Sequence, residues 1–180
     1  MIKYVALLRG IGPHNPNMKG EKLRGVFEGL GFAKVQSVIT SGNILFESND
    51  TNVPALEARI EKALPTKLGF TSTTVIRSQA ELAKLVTKDP YRGQDHTQKT
   101  YLLVTFFKYA PDIKLMLPYQ PPNKPYTLQG RIDQAIYGTV DLTSGKTPDY
   151  MVWLEKQFGQ SITSRTWLTI HRILKKMAES

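Results

Sequence analysis

The chain has 180 residues, 41% of them hydrophobic, a formal net charge of +9 and no cysteine. A chain of this length can bury a core without disulfides or metals, and the lack of cysteine excludes disulfides, iron–sulfur clusters and thiolate nucleophiles. No apolar run reaches the roughly 20 residues that a transmembrane helix needs, and the first run is also too short for a signal peptide. We therefore expect a cytoplasmic protein without a membrane partner. The positive charge is spread over both halves of the chain and favours acidic partners such as phosphates or nucleic acid.

Hydrophobic periodicity in the first half predicts strands and helices in the order βαββαβ. Strand-like runs occupy residues 4–8, 35–40, 44–47 and 73–77. An amphipathic helix lies between the first two strands, with Asn17 as its predicted N-cap and Gly31 at its end. A second helix is predicted to begin at Asn52 and to end at Pro65. This order is the split-βαβ or ferredoxin-like pattern, and a capping box from Ser78 opens a further helix.

The same order begins again in the second half of the chain. Strand-like runs occupy residues 101–107, 126–131, 135–140 and 161–165. Helices are predicted at 111–117, at 147–158 and from Trp167 onward. The chain is therefore expected to be α+β, with two ferredoxin-like (βαββαβ) units in tandem, each followed by an extra helix. The expected boundaries are 1–95 and 96–180, and the repeated order indicates a structural duplication.

Three short motifs point to a known family. They are the run Val-Ala-Leu-Leu-Arg-Gly-Ile at 5–11, Ser-Gly-Asn at 41–43, and Arg-Thr-Trp-Leu-Thr at 165–169. Together they resemble the bacterial family catalogued as domain of unknown function 1697. The resemblance implies tandem ferredoxin-like units but no reaction, because the family has no assigned activity. The chain departs from the family pattern at 12–15, where the family usually has an asparagine and a glycine-rich turn, and at Thr166, where it has asparagine.

The main candidate for a ligand site joins two of these motifs. In a ferredoxin-like sheet the first two strands run parallel, so Arg9 and Gly10 should lie beside Ser41, Gly42 and Asn43 at one edge. Glycines let main-chain N–H groups face a ligand, and Arg9 with the polar side chains would suit phosphate or carboxylate. The alternative is structural: Gly42 and Asn43 supply the backbone angles of a hairpin while Arg9 braces loop carbonyls.

A second candidate lies where the last strand meets the last helix. Arg165 and Thr169 flank the start of that helix, where free N–H groups and the helix dipole attract anions. The alternative is that Arg165 pairs locally. Trp167 begins an apolar stripe and is expected in the core.

Other kinds of site have little support in the sequence. His14, His96 and His171 lack metal-ligand spacing and are expected on the surface, so we predict neither a metal nor a cofactor. No nucleophile elbow is present, and no acid–base pair can be selected, which leaves open whether the protein is an enzyme. The aromatic run of RNA-recognition domains is also missing.

These observations favour a protein that binds an anionic, phosphate-bearing ligand, either a nucleotide or nucleic acid. Two alternatives remain: a small-molecule enzyme with a site in the cleft between the two halves, and a basic protein-interaction module. The sequence does not indicate an oligomeric state.

Overall fold

The computed structural model describes residues 1–40, 42–146 and 148–179. Contacts divide the chain into two compact units, which are residues 1–83 with those from 171 onward (unit 1), and residues 84–170 (unit 2). The strands are β1 (Ile2–Leu8), β2 (Ala33–Ser37), β3 (Asn43–Ser48), β4 (Thr74–Ser78), β5 (Thr100–Phe107), β6 (Tyr126–Ile132), β7 (Ala135–Asp141) and β8 (Ile162–Thr166). The helices are α1 (Gly20–Gly29), α2 (Val53–Leu68), α3 (Gln79–Thr87), α4 (Tyr150–Phe158) and α5 (Trp167–Glu179).

Unit 1 is built on an antiparallel sheet with the strand order β2-β3-β1-β4. Alternate residues of β1 point to opposite faces, and Tyr4, Ala6 and Leu8 join the core beneath α1 and α2. The helices contribute the apolar side chains that repeat at helical spacing in the sequence. They are Leu23, Val26 and Phe27 from α1 and Leu56, Ile60 and Leu64 from α2.

Carboxylates of α2 cover the outer edge of β4. The N–H of Ile76 donates to Glu57 Oε1 at 2.9 Å, and the N–H of Thr74 donates to Glu61 Oε1 at 2.8 Å. An edge strand leaves such donors without a strand partner. The two glutamates satisfy them and fix α2 against the sheet.

Unit 2 has an antiparallel sheet with the equivalent strand order, β6-β7-β5-β8. The helix predicted at 111–117 is wrong, because residues 108–125 form no helix. Ile113, Leu115 and Leu117 recur every two residues rather than at helical spacing, and they pack against the core from irregular chain. α4 therefore packs on this face of the sheet without the second helix that unit 1 has.

Three predicted helix ends are also wrong, and one of them is the start of α4, which lies at Tyr150 rather than at residue 147. Asn17 lies in a short 3-10 turn, and the N-cap of α1 is Lys19. The Asn17 amide instead donates from Nδ2 to the carbonyl of Leu68 at 3.1 Å. Pro65 lies inside α2, which ends at Leu68. Its C-cap, Gly69, has a φ of 76° and donates its N–H to the Pro65 carbonyl.

Other local predictions are confirmed. Ser78 and Glu81 form the capping box at the start of α3, since the Ser78 N–H donates to Glu81 Oε2 at 2.7 Å and the Glu81 N–H donates to Ser78 Oγ at 3.2 Å. Gly31 follows the end of α1 with a φ of 81°, a left-handed conformation that favours glycine. None of the described helices is both long and apolar enough to cross a membrane.

Candidate functional site

The end of β1 and the β2–β3 hairpin meet at one edge of the unit 1 sheet. Leu7 pairs with Asn43 in the antiparallel register, and the Leu8 N–H donates to the Gly42 carbonyl at 2.8 Å. The loop that begins at Arg9 therefore leaves the sheet beside the hairpin, as the strand order led us to expect. Ser41, which was part of the predicted site, lies outside the described residues.

The main chain of Arg9 is fixed on both sides by hydrogen bonds. Its N–H donates to the Thr73 carbonyl at 2.9 Å, and its carbonyl accepts from the buried Ser72 hydroxyl at 2.7 Å. The side chain of Arg9 is half-buried. Gly10 is exposed with a φ of 72°, and no described atom beyond its two chain neighbours lies within 4 Å of the position its Cβ would take. Arg9 and Gly10 thus form an accessible part of this edge.

Packing and turn geometry explain why glycine and asparagine stand at positions 42 and 43. A Cβ on Gly42 would lie 2.5 Å from Ile11 Cγ1, and the φ of 73° is in the left-handed region. The side chain of Asn43 has no exposed surface and donates from Nδ2 to the Val38 carbonyl at 3.0 Å. Asn43 therefore braces the hairpin from inside, and a ligand cannot reach it without opening the turn.

The structure adds Arg24, which the sequence did not indicate, to the surroundings of the hairpin. Its Nη1 donates to Ser37 Oγ at 2.7 Å, so the arginine approaches the hairpin from α1. The start of α1 is also close, since a Cβ on Gly20 would lie 3.0 Å from Ser37 Oγ. No side chain caps α1 from its N-cap residue, Lys19. The sequence offered one sign of a positively charged helix start at this place, because Lys19 and Gly20 directly precede the apolar stripe of α1.

Arg165 and Thr169 belong to unit 2 and are engaged locally. Arg165 is 9% exposed and donates from Nη1 to Thr163 Oγ1 at 2.7 Å and to the Ser164 carbonyl at 2.8 Å. Burial lowers the pKa of its guanidinium to about 10. The Thr169 N–H donates to Thr166 Oγ1 at 3.2 Å, and the two hydroxyls lie 2.9 Å apart. These contacts match the local pairing that was the alternative interpretation of Arg165.

The three histidines do not converge on a metal site. Among the residues that the structure describes, no group of three His, Asp or Glu side chains could hold an ion. His14 and His171 are exposed, and His96 is partly exposed. Its Nδ1 accepts from the Leu102 N–H at 3.1 Å, and its ring stacks on Tyr101 at 4.7 Å between centroids.

Comparison with known proteins identifies the family. Residues 1–137 match the family described as "Protein of unknown function (DUF1697)". The chain belongs to this family. The resemblance seen in the sequence motifs is thereby confirmed, although the motif at 165–169 lies beyond the matched residues.

A solved structure shares the fold across the whole chain. The chain is similar to the conserved bacterial protein SP0830 from Streptococcus pneumoniae, with 23% identity, a TM-score of 0.74 and coverage of 99% of each chain. At this level of identity the similarity shows the fold alone. No curated protein matches the chain.

Proposed function

We propose that the protein binds an anionic, phosphate-bearing ligand at the edge where the loop after β1 meets the β2–β3 hairpin. The observation that carries this proposal is that one arginine directly follows the strand paired with the hairpin and a second arginine donates to the hairpin strand β2. Arg9 follows the strand whose last residue, Leu8, bonds to Gly42, and Arg24 approaches Ser37 from α1. Guanidinium groups are well matched to phosphate because they offer several donors in a planar fork.

The surroundings of this edge also suit an anion. Gly10 leaves its main chain accessible, and the dipole of α1 favours negative charge near Lys19 and Gly20. The formal charge of +9 would attract a polyanion from a distance. Gly42 and Asn43 shape the edge without touching the ligand.

Calorimetric titration with ATP and with a short single-stranded oligonucleotide tests the proposal. Arg9→Ala should weaken binding about tenfold, because one charge-assisted contact is lost. Arg172→Ala is the matched control, since it removes an exposed arginine of α5. Equal weakening by both substitutions, or no binding of either ligand at low salt, would contradict the proposal.

Salt dependence separates the two ligand classes. Recognition of a nucleic-acid backbone requires that the affinity for the oligonucleotide fall steeply as salt is added. A site for a nucleotide should bind ATP at least as well as the oligonucleotide, with a shallower dependence on salt.

We also propose that both units are ferredoxin-like and that the protein is bacterial and cytoplasmic. In unit 1 the element order β1-α1-β2-β3-α2-β4 and the sheet order β2-β3-β1-β4 support the fold assignment. Unit 2 keeps the strand order and lacks the first helix. A bacterial setting is supported by the Streptococcus pneumoniae structure, and a reducing compartment by the absence of cysteine.

A further inference from the structure

Unit 2 contains an open groove that the proposed anion site does not use. The groove has a volume of about 610 Å³ and lies between the start of β5, the end of β7 and the first turn of α4. Its apolar lining includes Leu103, Val140 and Leu142. These side chains continue the hydrophobic core on which α4 packs.

The groove exposes apolar surface that the core of unit 2 does not cover. Leu103, Leu142 and Met151 are only partly buried, although they contact the core. At the rim, Tyr101 is 38% exposed and Val152 is 52% exposed. These side chains offer an apolar surface for a ligand to pack against, and the volume of the groove falls within the range of small-molecule sites.

One positive charge at the groove has no acidic partner within the part of the chain that the structure describes. The carboxylate of Asp149 lies 2.7 Å from Lys124 Nζ and accepts from the Tyr126 hydroxyl at 3.0 Å. These bonds lower the pKa of Asp149, so it is ionised and its charge is balanced by Lys124. Lys146 also lines the groove, and no ion pair involves it among the described residues. The groove therefore combines an apolar lining with one uncompensated cation.

We infer that the groove binds a small amphipathic acid, with an apolar body against Leu103, Val140 and Leu142 and a single carboxylate near Lys146. Transfer of the apolar body from water to the groove is favourable in free energy. The carboxylate supplies a negative counter-charge for the Lys146 ammonium group. Met151 and Val152 lie in the first turn of α4, where the helix dipole also favours negative charge. This inference is independent of the anion edge in unit 1.

Decanoate and decyltrimethylammonium are suitable probes, because they share an alkyl chain and differ in the sign of the head group. Calorimetric titration of the full chain should show decanoate binding about tenfold more tightly than the cation. Equal binding of the two probes would indicate a nonspecific apolar surface and would overturn the inference. So would the absence of decanoate binding at millimolar concentration.

Substitutions then locate the site. Lys146→Gln should weaken decanoate binding about fivefold and reduce the preference over the cation, whereas Lys156→Gln, at an exposed position in the last turn of α4, should leave both unchanged. Val152→Asp should weaken binding further, because it adds a negative charge at the rim. The exposed position of Val152 allows this change without disturbing the core, and circular dichroism verifies the fold of each variant.

Two results of the variant series would count against the inference. One is an equal loss of affinity in Lys156→Gln and Lys146→Gln, and the other is unchanged binding in Val152→Asp. Arg9→Ala should bind decanoate like the wild type. If no phosphate-bearing ligand binds at Arg9, the proposal for the groove still stands. If decanoate does not bind the groove, the proposal for the anion edge still stands.

Discussion

Arg77 and Arg165 occupy the same position in two equivalent strands, and each donates from Nη1 to the main-chain carbonyl of the preceding residue. The bonds measure 2.6 Å to Ile76 and 2.8 Å to Ser164. Both side chains are buried, with 6% and 9% exposed, and burial lowers the pKa of each. A buried guanidinium is costly unless it is well hydrogen-bonded, so the repeated arrangement indicates a structural role in both units.

Removing the Arg165 side chain should destabilise the protein. Arg165→Ala takes away the donor that Thr163 Oγ1 and the Ser164 carbonyl share, and it leaves a cavity. We expect the free energy of unfolding to fall by about 2–4 kcal/mol, as measured by urea denaturation. The exposed Arg172→Ala should change it by less than about 0.5 kcal/mol. A similarly small effect of Arg165→Ala would contradict the structural role.

Adding a methyl group to Gly42 should strain the edge beside Arg9. The Cβ would meet Ile11 Cγ1, and the left-handed backbone disfavours any residue with a side chain. Gly42→Ala should lower the free energy of unfolding by about 1–3 kcal/mol. In a double-mutant cycle, Ile11→Ala should remove the part of this stability loss that comes from the clash with Ile11. The part that comes from the left-handed backbone should remain. Strictly additive effects would show that the two residues do not compete for space.

The protein should lose stability in mild acid through His96. Burial lowers the pKa of this histidine, whose neutral ring accepts from the Leu102 N–H. A base with a lowered folded-state pKa contributes stability that is present above the unfolded value of about 6.5 and is lost as the pH falls through the folded value. Denaturant unfolding between pH 7 and 5 should show this loss. His96→Asn, which keeps an acceptor but does not titrate, should show less of it.

The protein should also lose stability in alkali, because two buried tyrosines have raised pKa values in the folded state. Burial raises the pKa of Tyr91 and Tyr150, so their stabilising effect holds below the unfolded value of about 10 and is lost as the pH rises above it. Each tyrosine should contribute a slope of about 1.4 kcal/mol per pH unit above that value. Burial of Arg165 acts in the opposite direction over this range.

Tyr91→Phe isolates one of these contributions. The substitution removes the hydroxyl that donates to the Leu103 carbonyl at 2.7 Å, so it should lower stability at pH 7. Above pH 10 the variant should lose stability less steeply than the wild type. An alkaline slope in Tyr91→Phe as steep as that of the wild type would be the contrary result.

Local features of this protein could be predicted from the sequence because they depend on neighbouring residues. The capping box of Ser78 and Glu81 joins residues three apart, and the apolar stripe of α1 repeats at helical spacing. Even the meeting of Arg9 with the hairpin was predictable, since a strand order constrains which ends share an edge. The helix predicted at 111–117 was wrong because Ile113, Leu115 and Leu117 alternate as in extended chain, whereas a helix needs apolar residues three or four apart.

The tertiary structure decided the accessibility of the candidate residues that it describes. Sequence alone could not show that Asn43 and Arg165 are buried while Gly10 is exposed, because burial depends on elements remote along the chain. The sequence also could not predict that Arg24 contacts Ser37, or that an open groove lies beside Lys146. Periodicity therefore determined most of the helices and strands, because it depends on residues close in sequence, whereas packing between distant segments determined which polar side chains can meet a ligand.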